Sequence, residues 1–432
     1  LTLRRDGSSN FGRNNQYAYF PSVSAGWTLT NEPFMENKPG WLDFLKVRGS
    51  WGQNGNEKIG SFGYTTTMTG GNNYSFGAGS NGVIHSGTKP TSLANPDLRW
   101  ETSEQLDFGF DSRFFNNSLS FSFDWFKKDT KDMLMERPIP LYVGSGSPLS
   151  NVGTLTNQGI ELEVGYKLSV DKVNLSFLAN ASYVKNEIKN LGNQTGYIDK
   201  ESLPTLGTVS RNQNGYPIGY FFGYKAIGVF QTQEEIDNYP VNLDGQNNTT
   251  IRPGDVILKD VNGDGIIDSY DERPHAYAAQ DFAWDSSKGN KNPLTSMGIN
   301  LGFEWKGIDF AADLAGGFKN TYVIDWDLKW GVSRGVNGFR YVNMEVWRHE
   351  DIFDAKSAWL PGKFPALRGT ESFTGKWYNT FWTREVNYMR LRNLVVGYSL
   401  PKQWIKKIGM EQCRIYFQGT NLFCISSLDD FG

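Results

Sequence analysis

Apolar and polar residues alternate along much of this chain, in runs that come in pairs. The clearest run is Ile160-Glu161-Leu162-Glu163-Val164-Gly165-Tyr166-Lys167-Leu168. The chain then turns within a few residues and resumes as Val173, Leu175, Phe177, Ala179, Ala181 and Tyr183, with Asn174, Ser176, Asn180 and Ser182 between. Successive side chains of a strand point to opposite faces, so each run predicts a strand with one apolar and one polar face. Further pairs fall at 17–29 with 45–52, 100–114 with 119–128, 297–305 with 308–314, and 386–400 with 414–423. The turn Phe115-Asn116-Asn117-Ser118 is short and Asn-rich, and Lys306-Gly307 is tighter still, as hairpins require. A helix-like turn, Gln403-Trp404-Ile405-Lys406-Lys407, is expected in the last connection.

Between pairs the links are long and irregular. A short strand is expected near 62–68, and a hairpin of its own near 220–230 in the longest link. Soluble β-sandwiches and propellers also alternate. Length decides against them, because several runs exceed ten residues, where soluble strands usually have about five or six. A tilted strand needs about 9–11 residues to cross a bilayer. Short turns at one end and long loops at the other are the pattern of an outer-membrane β-barrel. Closing the sheet satisfies every backbone hydrogen bond inside the membrane. The expected fold is therefore all-β, a transmembrane antiparallel β-barrel with long extracellular loops. The apolar set then meets lipid. Glu161, Glu163, Lys167, Asn174, Ser176, Asn180, Asn300, Glu304, Asp309 and Asp313 face a wet lumen, since charge is costly against hydrocarbon.

Composition agrees. The chain has 432 residues, with 48 Gly, 14 Trp and 15% aromatics, suited to strands, turns and interfacial girdles. A net charge of −3, from 43 basic and 46 acidic residues, offers no footprint for nucleic acid. No run of about 18 apolar residues is present, so no transmembrane helix is expected. Half-apolar strands are compatible with a mean hydropathy of −0.48. Cys413 and Cys424 lie on one strand segment, too far apart to bridge if it is extended, and read as free thiols.

Five stretches, in order and spanning nearly the whole chain, carry a more specific signal. They are Tyr19-Phe20-Pro21-Ser22-Val23-Ser24-Ala25-Gly26-Trp27; Trp41-Leu42-Asp43-Phe44-Leu45-Lys46-Val47-Arg48 with Gly52-Gln53-Asn54-Gly55-Asn56; Asn95-Pro96-Asp97-Leu98-Arg99-Trp100-Glu101-Thr102; Asn151-Val152-Gly153 through Asn157-Gln158-Gly159-Ile160-Glu161; and Tyr388-Met389-Arg390-Leu391-Arg392-Asn393-Leu394 with Gly397-Tyr398-Ser399-Leu400-Pro401 and Gly419-Thr420-Asn421-Leu422-Phe423. Each is weak alone. Together they resemble the SusC/RagA family of TonB-dependent outer-membrane transporters.

The resemblance implies part of a large 22-stranded-type barrel, in the cell outer membrane of a Gram-negative, Bacteroidetes-type bacterium. It implies import of oligosaccharides or, in some members, peptides, beneath a SusD-like surface lipoprotein, driven by the TonB complex and without enzymatic chemistry. The chain opens and closes in mid-pattern, so it reads as a barrel part without signal, N-terminal plug or first strands. The expected organisation is a partial barrel domain over 1–432, a long outer link over 186–295, and a Trp-rich outer link over 316–385. Two alternatives stand beside it: a secreted β-rich glycan-binding module, and an outer-membrane enzyme.

One motif has metal chemistry. Residues 260–271 read Asp-Val-Asn-Gly-Asp-Gly-Ile-Ile-Asp-Ser-Tyr-Asp and fit a twelve-residue calcium loop. Ca2+ takes six to eight oxygens, which such a loop wraps around one point. Here they would come from Asp260, Asn262, Asp264, the Ile266 carbonyl, Asp268 and Asp271, with Gly265 at the sharp turn. The shorter Asp at the last position departs from the usual Glu. A metal-free Asx/Gly turn is the alternative, since the same residues build turns. The expected role is a structural staple.

The other constellations are bland. His85, His275 and His349 have no ligand partner at useful spacing, and no nucleophile-elbow, phosphate-loop, Cys-x-x-Cys or dinucleotide fingerprint appears. The pairs Glu161/Glu163 and Asp309/Asp313 read as a solvated face rather than a glycosidase dyad. Trp326, Trp330, Trp347, Trp359, Trp377, Tyr378 and Trp382 could stack on a ligand, but packing of the loop on itself is favoured.

Overall fold

The computed structural model describes all residues except 77–82, 138, 200–201, 204–206, 277–293, 324–344, 352, 355, 366–377 and 429–432. The chain divides into two compact units. One comprises Leu1–Tyr197, Gln213–Tyr216 and Leu301–Lys306; the other comprises Ile198–Asn212, Pro217–Asn300 and Gly307–Gly432.

Among the described residues of the first unit, seven strands form an antiparallel meander in chain order: β1 (Thr2–Gly7), β2 (Tyr17–Thr28), β3 (Leu42–Asn56), β4 (Glu101–Phe114), β5 (Leu119–Lys131), β6 (Thr154–Val170) and β7 (Val173–Asn190). Their turns follow the sequence. Asp171 takes a positive φ of 50° between Val170 and Val173, which pair. Phe115, Asn116 and Asn117 are all left-handed, a conformation Asn tolerates. The Asn117 N–H donates to Asp43 Oδ2 at 2.9 Å, tying this turn to the start of β3.

A small core lies where the long links meet the strands. Phe11, Phe20, Leu98 and Trp100 are buried, with Ile59, Tyr64, Leu134 and Leu149 packed on them. The family-like stretches supply Phe20, Leu98 and Trp100. Trp100 Nε1 donates to the Gln16 carbonyl at 3.2 Å. A side chain at Gly55 would meet the Phe20 ring at 2.1 Å, so this strand position needs glycine. Asn151 Nδ2 donates to the Arg99 carbonyl at 2.7 Å, and its oxygen accepts from the Arg99 N–H at 2.8 Å.

In the second unit β9 (Ile308–Val323), β10 (Thr383–Ser399) and β11 (Arg414–Ser426) pair antiparallel. β8 (Thr295–Trp305) divides between the units at Asn300/Leu301. Lys306 and Gly307 both take positive φ, 47° and 88°, the two-residue geometry that suits twisted hairpins. The expected helix-like turn is present as Lys402–Ile405, followed by a 3₁₀ turn over Lys406–Ile408.

Two local expectations are corrected. Residues 62–65 form a turn closed by the Phe62 carbonyl and the Thr65 N–H at 2.9 Å. The ribbons of that link are instead Met68–Thr69 with Lys89–Pro90 and Tyr74–Phe76 with Val83–His85. Residues 220–230 are no hairpin of their own. Tyr220–Gly223 pairs with Ser210–Gln213 and Arg273–Ala276, while Ala226–Val229 pairs with Val256–Leu258. Both strands find partners outside the 220–230 stretch, which local alternation cannot reveal.

The long link of the second unit has its own core. Tyr224, Phe230, Ile236, Leu243, Ile251, Val256, Leu258 and Ile267 are all buried together. Fully burying an aliphatic or Phe side chain stabilises by about 1.5–3 kcal/mol. The segment is therefore a packed module. Helix α1 (Gln233–Asp237) adds Ile236 to it, and its N-cap Thr232 Oγ1 accepts from the Glu235 N–H at 3.2 Å.

Candidate functional site

Register assigns the two faces. In the first unit one rank runs Arg48, Gly109, Asp124, Glu161, Ser182 across β3 to β7. The next rank on the same face runs Lys46, Asp111, Ser122, Glu163, Asn180. The opposite face carries Val47, Phe110, Phe123, Leu162, Ala181 and Gly49, Phe108, Trp125, Ile160, Tyr183. These apolar residues are not interior: Phe108 is 53% exposed, and Ile160 and Tyr183 are also exposed. An aromatic rank held open to solvent fits a surface made for hydrocarbon.

The polar face is networked. Arg48 donates through Nη1 to Asp124 Oδ1 at 2.5 Å and through Nε to Asp111 Oδ2 at 3.1 Å. Ser122 Oγ donates to Asp111 Oδ1 at 2.9 Å. Beside this network a groove of about 360 Å³ is lined by Ser122, Asp124, Glu161, Glu163, Asn180 and Ser182, together with Leu162 and Ala181 between them in sequence. At the β7–β8 edge of the same unit, Asn174 Nδ2 donates to Glu304 Oε2 at 3.1 Å, and Ser176 lies against Gly302.

The second unit repeats the arrangement. Asn300 Nδ2 donates to Asp313 Oδ1 at 2.7 Å and Asn393 Nδ2 to Asp313 Oδ2 at 3.3 Å; Gln418 Nε2 donates in turn to Asn393 at 3.2 Å. Asp309 receives a two-pronged pair from Arg414, Nε to Oδ1 at 2.9 Å and Nη2 to Oδ2 at 2.5 Å. The expected polar residues thus line polar ranks within their own units. Lys167 stands opposite Ser176 in register. Sequence reasoning missed Arg48, Asp111, Asp124 and Arg414 as organisers of these ranks, although their alternation with apolar neighbours is a readable signal.

The calcium-type loop is closed by its own amides. Asp260 accepts from the Gly263 and Gly265 N–H groups at 2.6 and 2.9 Å. Asp264 accepts from the Ile266 N–H at 2.9 Å and from Asn262 Nδ2 at 2.9 Å. Asp268 accepts from the Tyr270 N–H at 2.8 Å. Asp271, fully buried, accepts from the Val261 N–H at 2.7 Å and the Asp268 N–H at 3.0 Å. Gly263 and Gly265 take the positive φ that such a tight path demands, 81° and 83°. The Ile266 side chain is exposed. Among the described residues no group of three or more His, Cys, Asp or Glu side chains is gathered as a metal cage. In this conformation the loop's carboxylates accept its own amide hydrogens, and each carboxylate oxygen keeps a second lone pair. Burial, and then the carboxylates Glu272, Asp268 and Asp271, hold the neighbouring Tyr224 hydroxyl above the ordinary tyrosine range.

Where it is described, the tryptophan link packs on itself only in part. Trp347, Tyr378 and Trp382 are buried. Trp359 lies on His349 with ring centroids 4.0 Å apart, but Tyr378 lies on Phe221 of the preceding long link with centroids 5.9 Å apart, and a Cβ on Gly254 of that link would fall 2.5 Å from Trp347. Trp326, Trp330 and Trp377 lie outside the described residues.

A family pattern described as "TonB dependent receptor-like, beta-barrel" matches residues 1–271. The chain belongs to that family. TonB-dependent receptor P3 of Formosa agariphila is 30% identical over 98% of this chain and 39% of its own length. TonB-dependent receptor SusC of Bacteroides thetaiotaomicron is 26% identical over 99% of this chain and 38% of its own length. The chain thus spans about two-fifths of the curated relatives it matches. Among solved structures, the RagAB peptide transporter shares the fold, with a TM-score of 0.73 and 24% identity, over 98% of this chain and 42% of that one. The fold is the all-β barrel of TonB-dependent outer-membrane receptors, of the SusC/RagA type. Such receptors are outer-membrane proteins, and the family is one of transporters and receptors rather than enzymes.

Proposed function

We propose that this chain is the barrel part of an importer that takes up oligosaccharides or peptides across the outer membrane, powered by TonB and working with a SusD-like surface lipoprotein. The carrying observation is the separation of faces. Arg48, Asp111, Asp124, Glu161 and Glu163 make one continuous polar surface, while Phe108, Trp125, Ile160 and Tyr183 share the other. A polar surface with many acceptors suits a wet conduit for hydroxyl-rich or amide-rich solutes. The names of the relatives support the receptor reading, and the likeness to a peptide transporter supports the fold alone.

The same reading includes a calcium ion at Asp260, Asn262, Asp264, Ile266, Asp268 and Asp271. It is supported by the spacing of these oxygens and by the two left-handed glycines, and the amide hydrogen bonds leave lone pairs on the same carboxylates for the ion.

The importer reading is tested by deleting the gene in its host and following uptake of labelled oligosaccharide and peptide mixtures, with and without an uncoupler. Loss of uncoupler-sensitive uptake of one class is expected. Unchanged uptake of both classes would reject it.

A further inference from the structure

From the connection between β10 and β11 we infer that this turn is a membrane-interface anchor that holds anionic phospholipid headgroups. Lys402, Lys406 and Lys407 are all exposed, and Glu411 is the single acid between Pro401 and Cys413. None of the three lysines has an ion-pair partner among the described residues. The strand cation beside them behaves otherwise: Arg414 is paired with Asp309.

Apolar groups accompany these charges. Trp404 is 61% exposed and Met410 is exposed, while Ile405 is buried and seats the turn. Gly409, with φ of 76°, ends the short helical segment, and the Met410 N–H returns to the Ile405 carbonyl at 3.1 Å. The turn is therefore ordered, with its indole and its ammonium groups directed outward.

Its position fixes the occupant. Directly beyond the turn the strands carry the rank Ile308, Tyr398, Ile415 and then Phe310, Val396, Phe417. Ile308, Tyr398, Ile415, Val396 and Phe417 are all exposed. Three unpaired lysines and a tryptophan at the margin of an exposed apolar face match the charge and polarity profile of a bilayer interface. The ammonium groups complement headgroup phosphates, and each lysine near an anionic surface contributes about fivefold in affinity, the equivalent of about 1 kcal/mol. This rests on the membrane-spanning reading of the strands.

The test uses the full-length protein in detergent, titrated with phosphatidylglycerol or phosphatidylethanolamine and read by native mass spectrometry. Wild type is expected to retain phosphatidylglycerol at least about fivefold better. The triple variant Lys402→Gln, Lys406→Gln, Lys407→Gln should lose most of that preference, and the triple Lys→Arg variant should keep it. Trp404→Ala should weaken retention of both lipids. Equal retention of the two lipids by wild type, or an unchanged preference in the glutamine variant, would overturn the anchor. So would displacement of the lipid by millimolar inorganic phosphate, which would make the site one for the free anion. Heat-modifiable gel migration, run in parallel, reports the barrel independently. Its persistence while lipid preference is absent rejects the anchor and leaves the membrane reading intact.

Discussion

Arg48 on β3 and Asp124 on β5 join hands across the strand that separates them. The Nη1–Oδ1 distance is 2.5 Å, and the residue between them in register is Gly109. A Cβ on Gly109 would fall 2.2 Å from Asp124 Oδ1 and 2.8 Å from the Phe123 carbonyl. The same device recurs in the second unit, where a Cβ on Gly397 would fall 2.5 Å from Asp309 Oδ1 and 2.7 Å from Arg414 Nε. In both places a glycine on the middle strand lets a long cation reach two strands away.

Replacing Gly109 should therefore break an ion pair without touching either partner. Gly109→Val is expected to lower stability by about 1–3 kcal/mol, as overpacking does. Arg48→Met, which removes the charge and keeps the stem, takes the guanidinium from Asp124 and Asp111 while Asp111 keeps Ser122, and on this partly exposed face it should cost about 1 kcal/mol or less. Urea unfolding of the barrel in detergent would measure both. Full stability in Gly109→Val would mean that the pair does not hold the strands.

The apolar ranks make a directional prediction. Phe108→Lys puts a charge on the face assigned to lipid and should lower folding into bilayers by about 2–4 kcal/mol if near the midplane. Asn180→Lys, on the polar face, should change it little. Folding yield into vesicles, followed by heat-modifiable migration, separates the two. Equal effects would dissolve the distinction between faces.

Two carboxylates of the long link should respond to pH with opposite sign. Burial would raise Asp244, but the N–H groups of Thr250, Gln246 and Asn248 and the Thr250 hydroxyl outweigh it and hold it below its ordinary value of 3.8. A lowered acid stabilises the fold above its unfolded value, so this contribution is present above the ordinary value and is lost as pH falls through the folded one. Glu272 is raised above 4.5, by burial first and by Asp199 as well, against the opposing pull of Arg211. Its contribution is full below that ordinary value and is lost as pH rises through the folded one. Hydrogen exchange across residues 217–272 should show Asp244→Asn weakening the module near neutrality, and Glu272→Gln removing the loss seen as pH rises toward neutrality. A rise in neutral-pH protection in Asp244→Asn would refute the sign.

Calcium is testable by calorimetry on the full-length protein. A binding heat is expected, and it should vanish in the Asp260→Ala, Asp264→Ala variant. Absence of any heat in wild type would leave the loop as a turn closed by its own amides.

The amino-acid sequence by itself determines the local periodicities. Alternation reveals strands over 160–168 and 173–183, because a side-chain period of two is written directly into consecutive residues; the structure extends them to Thr154–Val170 and Val173–Asn190. The Asn and Gly of the turns are equally plain, since left-handed backbone selects them. Tertiary structure alone decides which glycine lies opposite which charge: Gly109 acquires its meaning only when Arg48 and Asp124 arrive from other strands. It also decides that Tyr220–Gly223 pairs with Arg273–Ala276, and that Phe230 and Leu258 share a core. A chain's own neighbours fix its local conformation, but contacts made across long loops depend on where the rest of the chain folds, and no local pattern encodes that.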